Sequence, residues 1–144
     1  MAFQEHFEKL RLPGVRRIEL IHLDGYSLDS LDTMYLSLLP EHAPVMMAAL
    51  CSAARAVGGL FAQDSHPEKL HLQDRACSVH FYWMTGQHVL VLQGDRTLEP
   101  ALLDGAVCQI QEALVTSITH SSGPEIIRFG DGIELADLSS IPFD

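Results

Sequence analysis

Eight histidines in a chain of 144 residues invite a metal-site reading, so their spacing comes first. If residues 69–74 (KLHLQD) and 77–84 (CSVHFYWM) are adjacent antiparallel strands joined by a two-residue turn at Arg75-Ala76, His71 stands opposite His80 on one sheet face. Two imidazoles can begin a zinc-type site, but such a site needs at least a third ligand. In this register Asp74 points to the other face and His88 lies beyond reach, opposite Trp83. No metal and no cofactor is therefore expected, and a partly exposed histidine pair whose charge follows pH is the favoured alternative. Cys51, Cys77 and Cys108 are scattered through apolar segments without CxxC or Cys/His spacing. Buried, reduced thiols of a cytoplasmic protein are the expectation. The chain contains no GxSxG, HExxH, P-loop or GxGxxG pattern. The pairs Asp24-Gly25, Asp104-Gly105 and Asp131-Gly132 read as turns or helix edges rather than calcium loops. No paired carboxylates sit in an acid/base setting, so the chain is not expected to be an enzyme.

Composition narrows the partners. The net charge is −10, from 19 acidic and 9 basic residues, which disfavours nucleic acid and anionic membranes because both need a basic face. A chain of 144 residues suits one domain that buries ~70% of its unfolded surface, enough for a core without staples. The start, MAFQEHFEKL, is too charged for the apolar region of a signal peptide, and a cytoplasmic location is expected.

The element around which the rest must be arranged is the stretch 43–63, APVMMAALCSAARAVGGLFAQ, whose one charged side chain is Arg55. Met46, Leu50, Ala53, Val57 and Leu60 recur at helical spacing, yet the remaining circumference is also small or apolar. A surface helix shows a polar face, and this one shows almost none. Three readings compete. A membrane span needs ~20 apolar residues, but Arg55, the Gly58-Gly59 pair and the lack of flanking basic residues oppose it. A wholly internal core helix is the second. The third, favoured here, is a helix covered on one side by its own sheet and on the other by a second polypeptide. Ala48, Ala49, Ser52, Ala53, Ala54 and Ala56 would let another helix approach closely.

Around that helix the pattern is regular. Residues 2–11 read as a short helix stopped by Pro13-Gly14. Residues 15–23 (VRRIELIHL) read as a strand, with Asp24-Gly25 turning it back over 26–29. The apolar stretch 31–42 reads as a short helical turn, and Pro44 fits the first turn of the central helix. A meander follows: 69–74, 77–84 and, after a tight Thr85-Gly86 turn, 87–93. Two two-residue turns would put Leu70, Leu72, Val79, Phe81, Leu90 and Leu92 on one face and His71, Gln73, Ser78, His80, Tyr82, Val89 and Val91 on the other. Thr97 is a plausible cap for a last helix over 98–119, with a stripe of Leu102, Ala106, Ile110, Leu114 and Ile118. Residues 121–124 read as a linker, and 125–144 as an apolar, acidic tail with a turn at Gly130-Asp131-Gly132. The expectation is one domain over 1–120 and a tail over 121–144. The fold class is α+β: one antiparallel five-stranded sheet with helices on both faces, in the order α-β-β-α-β-β-β-α.

That order, with Pro13-Gly14-Val15 before the first strand, Asp24-Gly25 in the first hairpin, the helix MMAALCSAARAVGGL and Thr85-Gly86 before HVLVLQ, resembles the roadblock/dynein-light-chain family, in particular its bacterial gliding-motility branch. The similarity covers residues 3–120. It implies a non-enzymatic homodimer in which two central helices lie side by side and the following edge strands, here 69–74, pair into a continuous sheet. It further implies a small Ras-like GTPase as partner, with GTP hydrolysis stimulated by reshaping the GTPase rather than by a donated residue. On this sequence the dimer and partner surface falls on Met46, Met47, Ala49, Leu50, Ala53, Arg55 and Val57, with His71 and Gln73 on the pairing edge. Arg55 could act as an arginine finger in trans on bound GTP. A solvated or salt-bridged side chain beside the seam is the favoured alternative. A profilin-like sensory or small-ligand module, with Tyr82 lining a pocket, is the competing function.

Overall fold

The computed structural model describes residues 3–32, 43–61 and 67–127. Its elements are α1 (Gln4–Glu8), β1 (Val15–His22), β2 (Tyr26–Asp32), α2 (Ala43–Phe61), β3 (Lys69–Gln73), β4 (Cys77–Trp83), β5 (His88–Asp95) and α3 (Pro100–Ile127), in the expected order. The chain forms two compact units, Met1–Gln111 and Glu112–Asp144, with the boundary inside α3. The first contains the whole sheet. The described part of the second is the continuation of α3, which runs through 121–124, the expected linker. Pro124 falls in the last turn of α3 and supplies no N–H to the carbonyl four residues back.

One antiparallel sheet has the strand order β2-β1-β5-β4-β3, so β2 and β3 are its edges. Asp24-Gly25 makes the first hairpin, with Gly25 at a φ of 107° that a side chain would oppose. β2 is longer than expected and takes in Leu31 and Asp32. The reason is electrostatic: the Arg17 guanidinium on β1 holds both carboxylate oxygens of Asp32 at 2.6 Å. The remainder of the expected helical turn, 33–42, lies outside the described residues. So do 62–66, where the central helix was expected to terminate, and the Gly130-Asp131-Gly132 turn.

The β3–β4 turn is the two-residue turn expected, its Asp74 carboxylate accepting from the Ala76 and Cys77 N–H groups at 2.8 and 2.9 Å. His71 accordingly pairs with His80. The β4–β5 connection differs. Met84 N–H donates to the His88 carbonyl at 2.9 Å, leaving Thr85, Gly86 and Gln87 as a three-residue loop. The Thr85 hydroxyl stabilises it by accepting from the Gln87 and His88 N–H groups. One extra residue exchanges the faces of everything after it. Val89 and Val91, not Leu90 and Leu92, therefore share a face with Trp83 and Phe81.

On that face Ile21, Cys51, Phe81, Trp83, Val89 and Val91 form a core cluster under α2, with Met47, Ala54, Leu70 and Val79 packed around it. On the opposite face Ile18, Leu20, Leu90 and Leu92 are fully buried, and the Tyr82 hydroxyl ties the sheet to α3 by donating to Asp104 at 2.6 Å. α3 starts at Pro100, a position that needs no N–H. Thr97 is not its cap. Its hydroxyl and N–H both donate to the Asp95 carboxylate. The buried stripe is Leu103, Val107, Ile110, Leu114 and Ile118, while Leu102 is exposed. The expected stripe stepped strictly by four, and such steps drift by about 40° each around a helix with 3.6 residues per turn.

Only Cys51 is fully buried; Cys77 is half-buried and Cys108 exposed, which corrects the expectation that all three thiols are internal. Burial pushes the Cys51 thiol up to about 11. A disulfide-exchange reagent added to native protein is expected to label Cys108 first and Cys51 at least ~100-fold more slowly, with the difference abolished in denaturant. Equal native rates would contradict the core described here.

Candidate protein–protein interface

Pro44 sits in the first turn of α2, where its missing N–H is harmless. Ala43, Ala48 and Cys51 are buried, and the sheet therefore covers one side of the helix. The outward sides carry no charge. Val45, Met46, Leu50 and Val57 are exposed, and Leu60 and Phe61 at the C-terminal end are 81% and 85% exposed. The helix is long and apolar enough to cross a bilayer, with a mean hydropathy of 1.5. Its inner side, however, is the roof of the sheet core.

The residues expected on this surface separate by angle. Met46, Leu50, Ala53 and Val57 fall within an arc of about 60°. Ala49 lies beyond its rim and is also exposed. Met47 is turned onto the sheet cluster. Arg55 lies about 180° from the stripe. Its Nη2 donates to the Gly86 carbonyl at 3.2 Å, so its head is tied to the β4–β5 loop rather than held in a salt bridge. Met46 and Met47 also wall an apolar cleft of about 380 Å³ whose floor is Leu72, Val79, Phe81 and Val91. The stripe is thereby continuous with Leu72 on edge strand β3, itself exposed.

Among the described residues β3 is open along its outer side. Its inward bonds to β4 come from even-numbered positions, as in Asp74 N–H to the Cys77 carbonyl and Trp83 N–H to the Glu68 carbonyl. Alternation in an antiparallel ladder leaves the main-chain groups of Lys69, His71 and Gln73 facing outward. His71 and Gln73 thus occupy the edge, with their side chains on the sheet face away from α2.

The His71 and His80 rings are 4.1 Å apart, centroid to centroid. His80 is buried and its Nε2 lies 2.9 Å from the Ser78 hydroxyl. Burial, reinforced by His71, pushes its pKa down to about 4. The sequence did not reveal a second pair, because the shifted β5 register was not legible. His22 and His88 meet edge-on at 4.9 Å. Their Nδ1 atoms are occupied by the Asp24 N–H and the Thr85 hydroxyl, and burial, with His22 next, lowers His88.

These depressed values have a defined consequence. Above the unfolded value of ~6.5 both states are neutral and stability is unaffected. As the pH falls below it, the unfolded chain takes up protons that buried His80 and His88 refuse, so stability declines toward pH 4. Urea titrations from pH 7 to 4.5 are expected to show a loss on the order of 1–2 kcal/mol from His80. His80→Gln is expected to flatten that slope, and an unchanged slope would remove His80 as its source.

A separate cleft of about 450 Å³ is lined by Lys69, Tyr82, Trp83, Met84 and Asp104 among others. It is where a ligand-binding module would use Tyr82. Three of its polar groups are already paired with one another: Asp104 takes the Tyr82 hydroxyl at 2.6 Å and Lys69 Nζ at 2.9 Å. An acceptor satisfied by its neighbours gives a ligand little to replace.

An antiparallel sheet backed by helices thus carries, among the described residues, one bare apolar helix face that merges into one bare sheet edge. Solved structures share this fold. The fold is that of MglB and of Roadblock/LC7 domain proteins. An MglB with a tetrameric arrangement superposes with a TM-score of 0.70 at 20% identity, over 80% of this chain and 85% of that one. The gliding protein MglB from Thermus thermophilus gives 0.69 at 20% identity, over 80% and 86%. A Roadblock/LC7 domain from Streptomyces avermitilis gives 0.65 at 14% identity, over 83% and 98%. No protein-family model matches the sequence. No curated protein matches it either.

Proposed function

We propose that this protein is a homodimeric scaffold or regulator that binds a small Ras-like GTPase through a platform of paired α2 helices, without supplying catalytic residues. The observation that carries the proposal is the charge-free outer face of α2 running into the open edge of β3. The exposed Met46, Leu50, Val57, Leu60, Phe61 and Leu72 side chains amount to roughly 600 Å², the upper end of what a monomer shows as one patch. That approaches the ~800 Å² per partner of a standard interface. In a chain of net charge −10, a face without carboxylates is also where two copies meet with least repulsion. The fold shared with MglB supports a regulator of gliding-motility type. The seam falls on Met46, Leu50, Ala53 and Val57, with Ala49 at its rim and His71 and Gln73 at the strand edge, while Met47 faces the sheet core and Arg55 the β4–β5 loop. The test is GTP hydrolysis by a small Ras-like GTPase from the same genome, with and without this protein. Binding in the GTP state, with hydrolysis accelerated equally by wild type and Arg55→Ala, supports the proposal. Absence of binding to any such GTPase overturns it.

A further inference from the structure

The open edge of β3 fixes how two copies pair, and the pairing sets two imidazoles side by side. This rests on the homodimer proposed for the function. A two-fold axis normal to the sheet keeps both α2 helices on the same side, and residues paired across the seam then point to the same face. Among the described residues of β3, Lys69, His71 and Gln73 offer outward main-chain groups. The register centred on His71 pairs Lys69 with Gln73 of the second copy, His71 with its own counterpart, and Gln73 with Lys69. It forms about six main-chain hydrogen bonds, whereas a shift by two residues either way forms about four. It also sets Leu70 against Leu72 of the second copy, on the apolar side beneath the helices.

In this register His71 and its counterpart stand ~5.5 Å apart, Cα to Cα, with both side chains on the sheet face away from α2. His71 is exposed in the single chain. Inward of it, toward β4, the His80 ring lies 4.1 Å away, centroid to centroid, and blocks retreat in that direction. We propose that this histidine pair makes the dimer sensitive to protons: uptake of a proton by each His71 places two like charges across the seam and drives the copies apart.

Such a linkage depends on what the seam adds around His71, beyond what each chain already holds. Within one chain the cavity beside His71 also carries Asp74, Asp95, Arg96 and Glu99. Lys69 and Asp104 act on His80 behind it. These six accompany His71 whether the chain is alone or paired, so to first order their effect on its proton cancels in the association constant. On this face the pairing edge of the second copy brings no carboxylate, only Lys69, His71 and Gln73. Its Lys69 arrives with Asp104 on its Nζ at 2.9 Å, which leaves the counterpart imidazolium as the new charge. His80 stays neutral, because burial, then His71, holds it down at about 4. Separated chains therefore bind up to two protons that the dimer refuses. Association weakens as the pH falls through the ordinary imidazole range near ~6.5 and is unchanged above it. Two unit charges at ~5.5 Å in a partly solvated seam cost about 10- to 100-fold in affinity. The remainder of the chain has the opposite sign. Its net charge of −10 at pH 7 falls to zero near pH 5.1, so acid by itself relieves repulsion between copies.

The test is a light-scattering dilution series on the full chain at pH 7.5 and pH 5.5, for wild type and His71→Gln, with far-UV circular dichroism confirming the fold at each pH. The wild-type dissociation constant is expected to rise about 10- to 100-fold at the lower pH. His71→Gln keeps the strand and a polar side chain but cannot charge, and its constant is expected to hold or to fall slightly. A wild-type dimer equally tight at both pH values, or a His71→Gln dimer that weakens in acid as the wild type does, overturns the proton linkage and leaves the homodimer standing. A wild type that is monomeric at both pH values overturns the homodimer, and the linkage with it.

Discussion

Leu50→Glu is expected to halve the mass measured by light scattering while leaving the fold of the single chain in place. In the protomer Leu50 is 37% exposed and flanked by Met46 and Val57 on the same arc, so a carboxylate there reaches water and costs the monomer little. In a dimer the situation reverses. Two α2 helices crossing antiparallel near Ala53 bring Leu50 against Val57 of the second copy and Met46 against Leu60. The small residue at the crossing lets the backbones approach, and the larger side chains fill the diverging ends. A glutamate on each helix places two like charges in a seam from which water is excluded. Such juxtaposition costs several kcal/mol, and every ~1.4 kcal/mol weakens association tenfold, so a loss of about 100- to 1,000-fold in affinity is expected. Val45→Glu is the control. Val45 is equally apolar and more exposed, but it lies about 110° around the helix from the stripe. Its mass at micromolar concentration should be that of the wild type. A Leu50→Glu protein that stays dimeric, or a Val45→Glu protein that does not, would relocate the seam.

The features legible in the sequence were those written in local chemistry. Asp24-Gly25 and Arg75-Ala76 announce hairpins, and both are present, the second as the two-residue turn expected and the first as a three-residue loop that also takes in Leu23. The His71–His80 opposition followed from the second of them. The near-absence of charge between residues 43 and 61 indicated that α2 could not be fully covered by water, and its outer face is indeed bare apolar surface in the single chain. Features set by one residue of register were not legible. Thr85-Gly86 looks like a two-residue turn, and nothing local says that Gln87 joins the loop through the Thr85 hydroxyl. That single residue reassigned Val89, Val91, Leu90 and Leu92 between faces and hid the His22–His88 contact. The same holds for Arg55. Its lone charge on an apolar helix reads chiefly as a solvated or salt-bridged side chain beside the stripe, whereas tertiary placement sets its head on the Gly86 carbonyl, on the far side of the helix. The extension of β2 depended on a long-range ion pair, Arg17 with Asp32, which no windowed pattern shows.

Gly14→Ala is expected to destabilise the protein by about 3 kcal/mol or more, a large share of a small domain's ~5–15 kcal/mol. Two independent terms act there. Gly14 has a φ of 94°, in the region that opposes a β-carbon. A β-carbon would also lie 2.5 Å from the Leu98 amide nitrogen and 2.8 Å from its α-carbon, both backbone atoms that cannot swing aside. The contact is unavoidable because the chain entering β1 crosses the chain leaving β5, where the Asp95 N–H donates to the Gly14 carbonyl at 2.9 Å. Gly94, on the other side of the same crossing, meets the Leu98 side chain as closely. The Pro13-Gly14-Val15 motif thus closes β1 and β5 against the segment that leads into α3. Gly105→Ala supplies the opposite sign. That glycine lies inside α3 with open space around its α-carbon, so alanine should stabilise by roughly 0.5–1 kcal/mol through helix propensity and a less flexible unfolded chain. Urea melts of both variants decide the matter: a Gly14→Ala midpoint equal to wild type would mean that the strand entry does not cross the strand exit at the distance described here.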